Sequence, residues 1–351
     1  MSAPIKYAKY IPPEVEFKGN ITKMKIETKV ELGYAFVNRP MYFLGYFVTC
    51  VNKSLSFFNQ YTYNLVFKQD FAEDKDEILS FNKLDDDTLI ITNNKSARII
   101  RFYENEPEKI TFEVIQEIKE TEFYHMAEKL SNGLLLLGGL DKKYVFYRLE
   151  HYEADQKVSK GNLYKKVGEI ENVHNVYDDD TPHILDLNSG YLFSYMNDDS
   201  NIKVIQYEGD FKIITSIDGY TLHHAALISD RYIVLKGLTY PKYYTWLFDL
   251  EQLNVVKTWE TPNNDGFIQI TSQNRFLTGD PDTKRLALQE IKEENGEFFL
   301  NDIYATDYQG FESFMWNIFL DKKRFITIAE DKYSEEHDYQ SPSFIVIFKC
   351  E

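Results

Sequence analysis

The chain has 351 residues, of which 43% are hydrophobic and 16% are Phe, Trp or Tyr, a composition that favours β-strands because aromatic side chains suit a pleated, half-buried surface. Its formal net charge of -17 opposes direct binding to nucleic acid, since affinity for phosphates depends on Lys and Arg. No apolar run approaches the roughly 18 residues of a membrane-spanning helix, so membrane insertion is not expected.

The N-terminal stretch MSAPIKYAKYIPPEVEFKGN lacks the apolar core of a secretory signal, which predicts an intracellular protein. The chain has only two cysteines, Cys50 and Cys350, too few to cross-link a secreted scaffold of this length. Both thiols are therefore expected to be free. These features together predict a cytoplasmic location.

Short strands with alternating apolar residues recur in the same order along the chain. From position 88 the sequence TLIITNNKSARIIRFYEN predicts a strand, a polar turn and a second strand, and the same order returns from positions 133, 191, 231, 275 and 324. These starts lie 45, 58, 40, 44 and 49 residues apart, a spacing that suits a unit of four short strands. The repeat therefore predicts an all-β protein.

Each unit also has a strand before this pair and, in most units, one after it, so its strands are named a, b, c and d. A weaker copy from about position 32 to 74 brings the number of units to seven. The seventh unit has no d strand of its own, while ITKMKIETK at 21–29 is an unassigned strand. Pairing this strand with the last strand c would complete the seventh unit and cover its free edge.

Seven such units resemble a degenerate WD40-like β-propeller, although no unit carries the Gly-His and Trp-Asp dipeptides of WD40 blades. The resemblance implies a seven-bladed β-propeller of four-stranded blades, the last closed by an N-terminal strand. We expect an N-terminal extension at 1–20 and one propeller domain at 21–351. The predicted blades are 32–74, 75–120, 121–171, 172–218, 219–261, 262–307, and 308–350 with 21–29.

One stretch of the third unit, GLLLLGGLDKK from Gly133, has the glycine spacing of a phosphate-binding loop. That loop needs Lys and then Ser or Thr directly after its second glycine, for the phosphates and for Mg²⁺. Gly139 and Leu140 stand in those places. The four leucines are therefore interpreted as a buried strand b, with the b–c turn after them.

No pattern in the sequence predicts a catalytic centre, a metal site or a cofactor. The acidic stretches MNDDSNIK and GDPDTK contain oxygen donors that suit Ca²⁺, but both fall in b–c turns, where Asp, Asn and Gly are common for backbone reasons. His223 and His224 are neighbours on a predicted strand a and point to opposite faces, so they cannot share one metal ion. A propeller enzyme, or a binder of a small ligand or cation over the central channel, remains the alternative function.

The b–c turns and d–a connections are expected on one face of the propeller, and these segments are rich in acids and tyrosines. We call this surface the acidic loop face. In its segments 171–182, 197–201, 238–242, 280–284 and 330–342 the only cations are Lys242, Lys284 and Lys332. The predicted partner-binding residues are Tyr177, Asp178, Asp179, Asp180, Asp198, Asp199, Tyr240, Asp280, Asp282, Tyr333, Glu335, Glu336, Asp338 and Tyr339.

Such a face would attract and hold a basic peptide or protein surface, because tyrosines bury a large area at low entropic cost. The acids have a second interpretation, namely solvated charge that keeps the protein soluble. Two c–d excursions, 103–110 and 151–162, are expected to be loops of mixed charge on the opposite face. The resemblance and the acidic loop face together predict a non-enzymatic scaffold or adaptor subunit of a multiprotein complex.

Overall fold

The structure, a computed structural model, describes residues 8–34, 40–71, 77–119, 126–138, 143–149, 164–174, 182–196, 200–261, 267–280, 283–308, 310–331 and 342–351. These residues form twenty-eight β-strands. The described part of the chain contains no helix that is long and apolar enough to cross a membrane.

The strands of the first half are β1 (Met24–Tyr34), β2 (Met41–Phe43), β3 (Tyr46–Val51), β4 (Ser54–Asn59), β5 (Leu65–Asp70), β6 (Ser80–Lys83), β7 (Thr88–Thr92), β8 (Ala97–Glu106), β9 (Lys109–Ile118), β10 (Met126–Lys129), β11 (Leu135–Gly138), β12 (Tyr144–Leu149), β13 (Tyr164–Ile170) and β14 (His183–Asp186). Those of the second half are β15 (Tyr191–Tyr195), β16 (Asn201–Gln206), β17 (Lys212–Asp218), β18 (Thr221–Leu227), β19 (Tyr232–Thr239), β20 (Lys242–Asp249), β21 (Asn254–Thr261), β22 (Ile268–Ser272), β23 (Arg275–Asp280), β24 (Arg285–Glu294), β25 (Glu297–Asp307), β26 (Ser313–Asp321), β27 (Arg324–Glu330) and β28 (Pro342–Cys350).

These strands form seven four-stranded sheets, each with its strands in the order a, b, c, d. Sheets 1 to 6 are β2–β5, β6–β9, β10–β13, β14–β17, β18–β21 and β22–β25, and sheet 7 is β26–β27–β28–β1. The fold is therefore a seven-bladed β-propeller of four-stranded blades, as the repeat predicts.

The N-terminal strand completes sheet 7, which confirms the predicted closure. Strand β1 pairs antiparallel with β28, so that Met24 lies opposite Cys350. The pairing continues past the end of the strand, where the amide of Thr22 donates a hydrogen bond to the carbonyl of Glu351 at 2.8 Å. The paired strand reaches Tyr34, five residues beyond the predicted 21–29.

Strand position within a sheet determines how much of each strand is buried. Strand β11 is buried along its whole length, whereas the d strand β25 alternates between exposed and half-buried residues. This difference explains GLLLLGG, since a strand covered on both faces is apolar throughout. At Gly138 a Cβ atom would lie 2.7 Å from Cε of Met126, so only glycine fits without displacing that side chain.

The chain divides into two compact units. Unit 1 comprises Met1–Pro40, Leu187–Ser189 and Ile217–Glu351, and unit 2 comprises Met41–Asp186 and Gly190–Ser216. Sheets 5 to 7 therefore belong to unit 1, and sheets 1 to 4 to unit 2. Within each unit the space between neighbouring sheets is filled by apolar side chains, including an array of phenylalanines around Phe57 and Phe102 in sheets 1 and 2.

Unit 2 also has a buried polar contact between sheets 3 and 4. Ser194 Oγ lies 2.6 Å from the hydroxyl of Tyr144 and 2.8 Å from Nε2 of His174. All three residues are buried. Burial raises the pKa of Tyr144, so its hydroxyl keeps its proton and must find an acceptor.

The prediction of a loop at 103–110 is wrong. Strands β8 and β9 pair without a loop as far as Glu106 opposite Lys109, so these residues form the end of a long hairpin. The hairpin contacts sheet 1, where Nδ2 of Asn59 donates a hydrogen bond to Oε1 of Glu108 at 2.9 Å. Apolar contacts and hydrogen bonds with residues outside 103–110 hold the hairpin in place. The other predicted loop, 151–162, lies outside the described residues.

Residues 8–20, which we call the N-terminal strap, lie against the rest of unit 1. The strap contributes Phe17 to the core between sheets 6 and 7, where its ring stacks on Phe319 with centroids 5.7 Å apart. Its hydrogen bonds include Lys9 N to Leu187 O at 2.9 Å, Tyr10 N to Asp230 Oδ1 at 2.7 Å, Phe17 N to Thr271 O at 2.7 Å, and Arg275 Nη1 to Lys18 O at 2.7 Å.

Candidate partner-binding surface

Two of the predicted partner-binding residues, Tyr240 and Asp280, are described by the structure. The others lie outside the described residues and stay predictions: Tyr177, Asp178, Asp179, Asp180, Asp198, Asp199, Asp282, Tyr333, Glu335, Glu336, Asp338 and Tyr339.

Tyr240 occupies the b–c turn of sheet 5. Strands β19 and β20 pair up to Thr239 opposite Lys242, which leaves Tyr240 and Pro241 as the two turn residues. The side chain of Tyr240 is 90% exposed, the largest exposure among the large apolar side chains that the structure describes. A tyrosine held at the tip of a paired hairpin can bury most of its ring against a partner while losing little conformational entropy.

More aromatic side chains surround this end of sheet 5. The ring of Trp246 lies 5.6 Å from Tyr244 and 5.4 Å from Tyr220, and the imidazole of His223 lies 6.2 Å from Tyr243. The three tyrosines are half-buried. None of the three was among the sequence predictions, although TYPKYYTW at 239–246 is dense enough in aromatics to have indicated Tyr243 and Tyr244.

A β-bulge shapes the same end of the sheet. The pairing of β18 with β19 shifts between Leu222 and His224, which leaves His223 as the extra residue. The bulge brings the carbonyl oxygen of Thr221 to 2.0 Å from the place where a Cβ of Gly237 would stand. Residue 237 must therefore be glycine, since any side chain would push the two strands apart. Bulges are common beside functional sites because they redirect nearby side chains.

Three described cations at the b–c turns are paired with acids. Nζ of Lys242 lies 2.8 Å from Oε2 of Glu260, and Lys284 contacts the carboxylate of Glu312. In sheet 3, Lys143 makes the corresponding contact with Glu169 at 2.6 Å. The hydrogen bonds from Lys143 and Lys166 hold the pKa of Glu169 below its usual value. These cations therefore add little positive potential to the turns.

Asp280 ends strand β23 in sheet 6 and is half-buried. Its Oδ1 accepts a hydrogen bond from the amide of Thr283 at 3.1 Å. The carboxylate also attracts the ammonium of Lys236 electrostatically. Lys236 is a buried residue of β19, and its ammonium donates a hydrogen bond to Oγ1 of Thr278. Burial lowers the pKa of Lys236 to about 7, and Asp280 opposes this shift. The carboxylate of Asp280 thus interacts with a buried lysine as well as with its own turn.

Other candidate chemistry is sparse in the described residues. No group of three or more His, Cys, Asp or Glu side chains among them is close enough to hold a metal ion. Cys50 and Cys350 are both free thiols and both buried. Burial raises the pKa of each thiol, so neither is a reactive thiolate.

Comparison with known proteins gives the fold class of the whole chain. No family model and no curated protein matches the sequence. Among solved structures, the Neurospora crassa Pan2 WD40 domain is 12% identical with a TM-score of 0.62, over 93% of this chain and 97% of that one. The chain has a WD40-like fold.

Two further WD40-like matches cover nearly the whole chain. Chaetomium thermophilum Sqt1, solved bound to the N-terminus of the ribosomal protein L10, is 10% identical with a TM-score of 0.63, over 93% of this chain and 100% of that one. A chain of the mitotic checkpoint complex is 10% identical with a TM-score of 0.62, over 95% of this chain and 98% of that one. At such low identity these matches carry the fold and no residue roles.

Proposed function

We propose that this WD40-like protein is a non-enzymatic, intracellular scaffold or adaptor subunit that binds a basic protein partner through its acidic loop face. The observation that carries the proposal is Tyr240, exposed at the tip of the sheet 5 hairpin beside half-buried tyrosines. Exposed aromatic residues of this kind are frequent anchors of protein interfaces.

Charge supports a basic partner. The turns that share the predicted face are rich in Asp and Glu, while Lys242 and Lys284 are already paired with carboxylates of their own unit. An excess of negative potential speeds the encounter with a positive surface and disfavours acidic competitors. The Sqt1 structure is a propeller that holds the N-terminus of another protein, and the checkpoint complex is a protein assembly, so binding of this type is compatible with the fold.

The experiment compares capture of partners by wild type and by two loop-face variants at low and moderate salt. One variant is Tyr240→Ser, and the other replaces Asp178, Asp179, Asp180, Glu335 and Glu336 with Ser. Tyr61→Ser is the matched control, because Tyr61 is a 72% exposed tyrosine in the c–d turn of sheet 1. Both loop-face variants should lose partners that wild type and the control retain. Equal capture by all four proteins would contradict the proposed surface.

The alternative function, binding of a cation or small ligand, has a separate test. Thermal unfolding of wild type is measured with Ca²⁺ and with a chelator. A ligand that binds the native state raises the unfolding temperature by mass action. The scaffold proposal expects the same unfolding temperature in both conditions.

A further inference from the structure

Unit 1 has an apolar pocket between sheets 5 and 6, at the end where their a–b turns lie. We call it the apolar pocket; its volume is about 240 Å³. Leu247 and Ile291 are buried in its wall. Tyr232 and Phe298 contribute rings that meet edge to face, with centroids 5.3 Å apart. Glu293 stands at the pocket and is exposed. The shape and lining suit one apolar side chain.

A second cavity adjoins this pocket, and most of its lining residues are polar or charged. We call it the strap groove; its volume is about 540 Å³, and the N-terminal strap forms one of its sides. The strap contributes Tyr10, Pro12 and Glu16, and the first turn of sheet 6 contributes Ser272. Gln273 lines both cavities, so the groove and the apolar pocket lie next to each other.

The charges around the two cavities favour a positively charged ligand. Glu293 has no ion-pair partner among the residues that the structure describes. Glu293 is also the only charged residue that lines the apolar pocket. Four cations of sheets 5 and 6 and of the strap are paired with acids: Arg231 with Asp249 at 2.6 Å, Arg275 with Glu290 at 2.7 Å, Lys292 with Glu290 at 3.0 Å, and Lys18 with Glu16 at 2.8 Å. The unpaired carboxylate therefore leaves a negative site at the rim of an apolar pocket.

The strap shows that this side of unit 1 holds an extended polypeptide. The amide of Phe17 donates a hydrogen bond to the carbonyl of Thr271, and the amide of Tyr10 donates one to the carboxylate of Asp230. Phe17 is 6% exposed, so one aromatic side chain anchors the strap between the sheets. A second extended segment alongside the strap would find a similar combination of polar turn groups and an apolar pocket.

We propose that the apolar pocket and the strap groove together bind an extended segment of a partner protein. One Leu- or Phe-like side chain of that segment fills the apolar pocket, and a Lys or Arg close to it in sequence lies beside Glu293. The rest of the segment follows the strap groove. Concave sites that combine an apolar pocket with a few placed polar groups are the usual form of ligand sites. This surface is separate from the acidic loop face and does not depend on it.

The probe is a phage-displayed library of random dodecapeptides, selected on the full-length protein. Enriched peptides are synthesised with a fluorescent label, and their affinities are measured by polarisation. We expect a shared pattern of one large apolar residue with Lys or Arg within two positions of it. Gln273→Trp should place a bulky ring where the two cavities meet, and Glu293→Lys should repel the basic residue. Each variant should weaken binding ~10-fold or more, as losses at interface anchors do.

Matched controls exist for both changes. Lys322→Trp places the same side chain in the exposed a–b turn of sheet 7, and Glu113→Lys reverses an exposed glutamate of β9. Both should bind the peptides like wild type. The proposal is overturned if no peptide is enriched, if enriched peptides are acidic, or if Gln273→Trp and Glu293→Lys bind them normally. A change in oligomeric state with Gln273→Trp would assign the surface to a second copy of the chain and would also overturn it.

Discussion

The backbone amide of Tyr10 donates a hydrogen bond to Oδ1 of Asp230 at 2.7 Å, although 220 positions separate the two residues in the sequence. The contact ties the N-terminal strap to the a–b turn of sheet 5. Seven residues further on, Phe17 packs into the core between sheets 6 and 7. The strap is therefore part of the folded unit 1 and contributes to its stability.

Replacing Phe17 with Ala should lower the free energy of unfolding by about 3 kcal/mol, because the change removes a buried ring and its stacking on Phe319. Urea denaturation followed by circular dichroism measures the effect. Ile11→Ala, in the same strap but 54% exposed, should change stability by less than about 0.5 kcal/mol. Equal losses in the two variants would mean that the strap does not pack as described.

Lys236 should make stability depend on pH. Its pKa is lowered to about 7 in the folded protein by burial, while an unfolded lysine keeps its proton to a pH of about 10.4. Between these values the unfolded chain binds more protons, so the free energy of unfolding rises with pH. From pH 7 to pH 9 wild type should gain about 2 kcal/mol relative to Lys236→Met, which has no such proton.

Urea titrations at several pH values measure this difference. Lys242→Met is the control, because Lys242 is exposed and its contact with Glu260 raises its pKa instead. That variant should follow wild type across the same range. Parallel stability curves for wild type and Lys236→Met would show that Lys236 stays charged in the fold.

The seven sheets could be predicted from sequence because sheets 1 to 6 are built from local hairpins, and the missing fourth strand of sheet 7 matched the one unassigned strand at 21–29. The leucines before Gly138, for example, form strand b of sheet 3 as their apolar run indicates. The strap could not be predicted in the same way, since the contact between Tyr10 and Asp230 is remote in sequence and has no repeat. Lys236 was a missed signal: a lysine inside the apolar strand YIVLKGLT predicts a buried charge that needs partners.

The candidate surfaces also differ in whether they depend on residues close together in the sequence or on residues far apart in it. Tyr240 lies in a hairpin turn that strand alternation alone could place. The apolar pocket combines Tyr232 of β19 with Phe298 of β25, and their proximity depends on the packing of two sheets. Acids in turns are visible in a sequence, whereas the pairing of Lys242 with Glu260 requires the register of β20 and β21.

Removing Lys242 should strengthen the negative potential of the acidic loop face. Lys242→Gln leaves the carboxylate of Glu260 unpaired, so a lysine-rich fluorescent peptide should associate roughly twofold faster at low ionic strength. The gain should vanish in about 0.5 M salt, where screening is strong. Stopped-flow fluorescence gives the rates, and Lys212→Gln, at an exposed pair with Asp210 in sheet 4, is the control. Equal acceleration by both variants would show that net charge alone matters.

Ser194 should be the most sensitive position in the buried contact of sheets 3 and 4. Ser194→Ala removes a partner from the hydroxyl of Tyr144 and from Nε2 of His174, both of them buried, and should cost about 2 kcal/mol. Adding Tyr144→Phe to Ser194→Ala should cost less than it does in wild type, because the hydroxyl has then already lost its contact with Ser194. Thermal and urea unfolding of the four proteins measures this coupling. Ser216→Ala, at an exposed serine of β17, should be neutral. Strictly additive losses would mean that Tyr144 and Ser194 stabilise the fold independently.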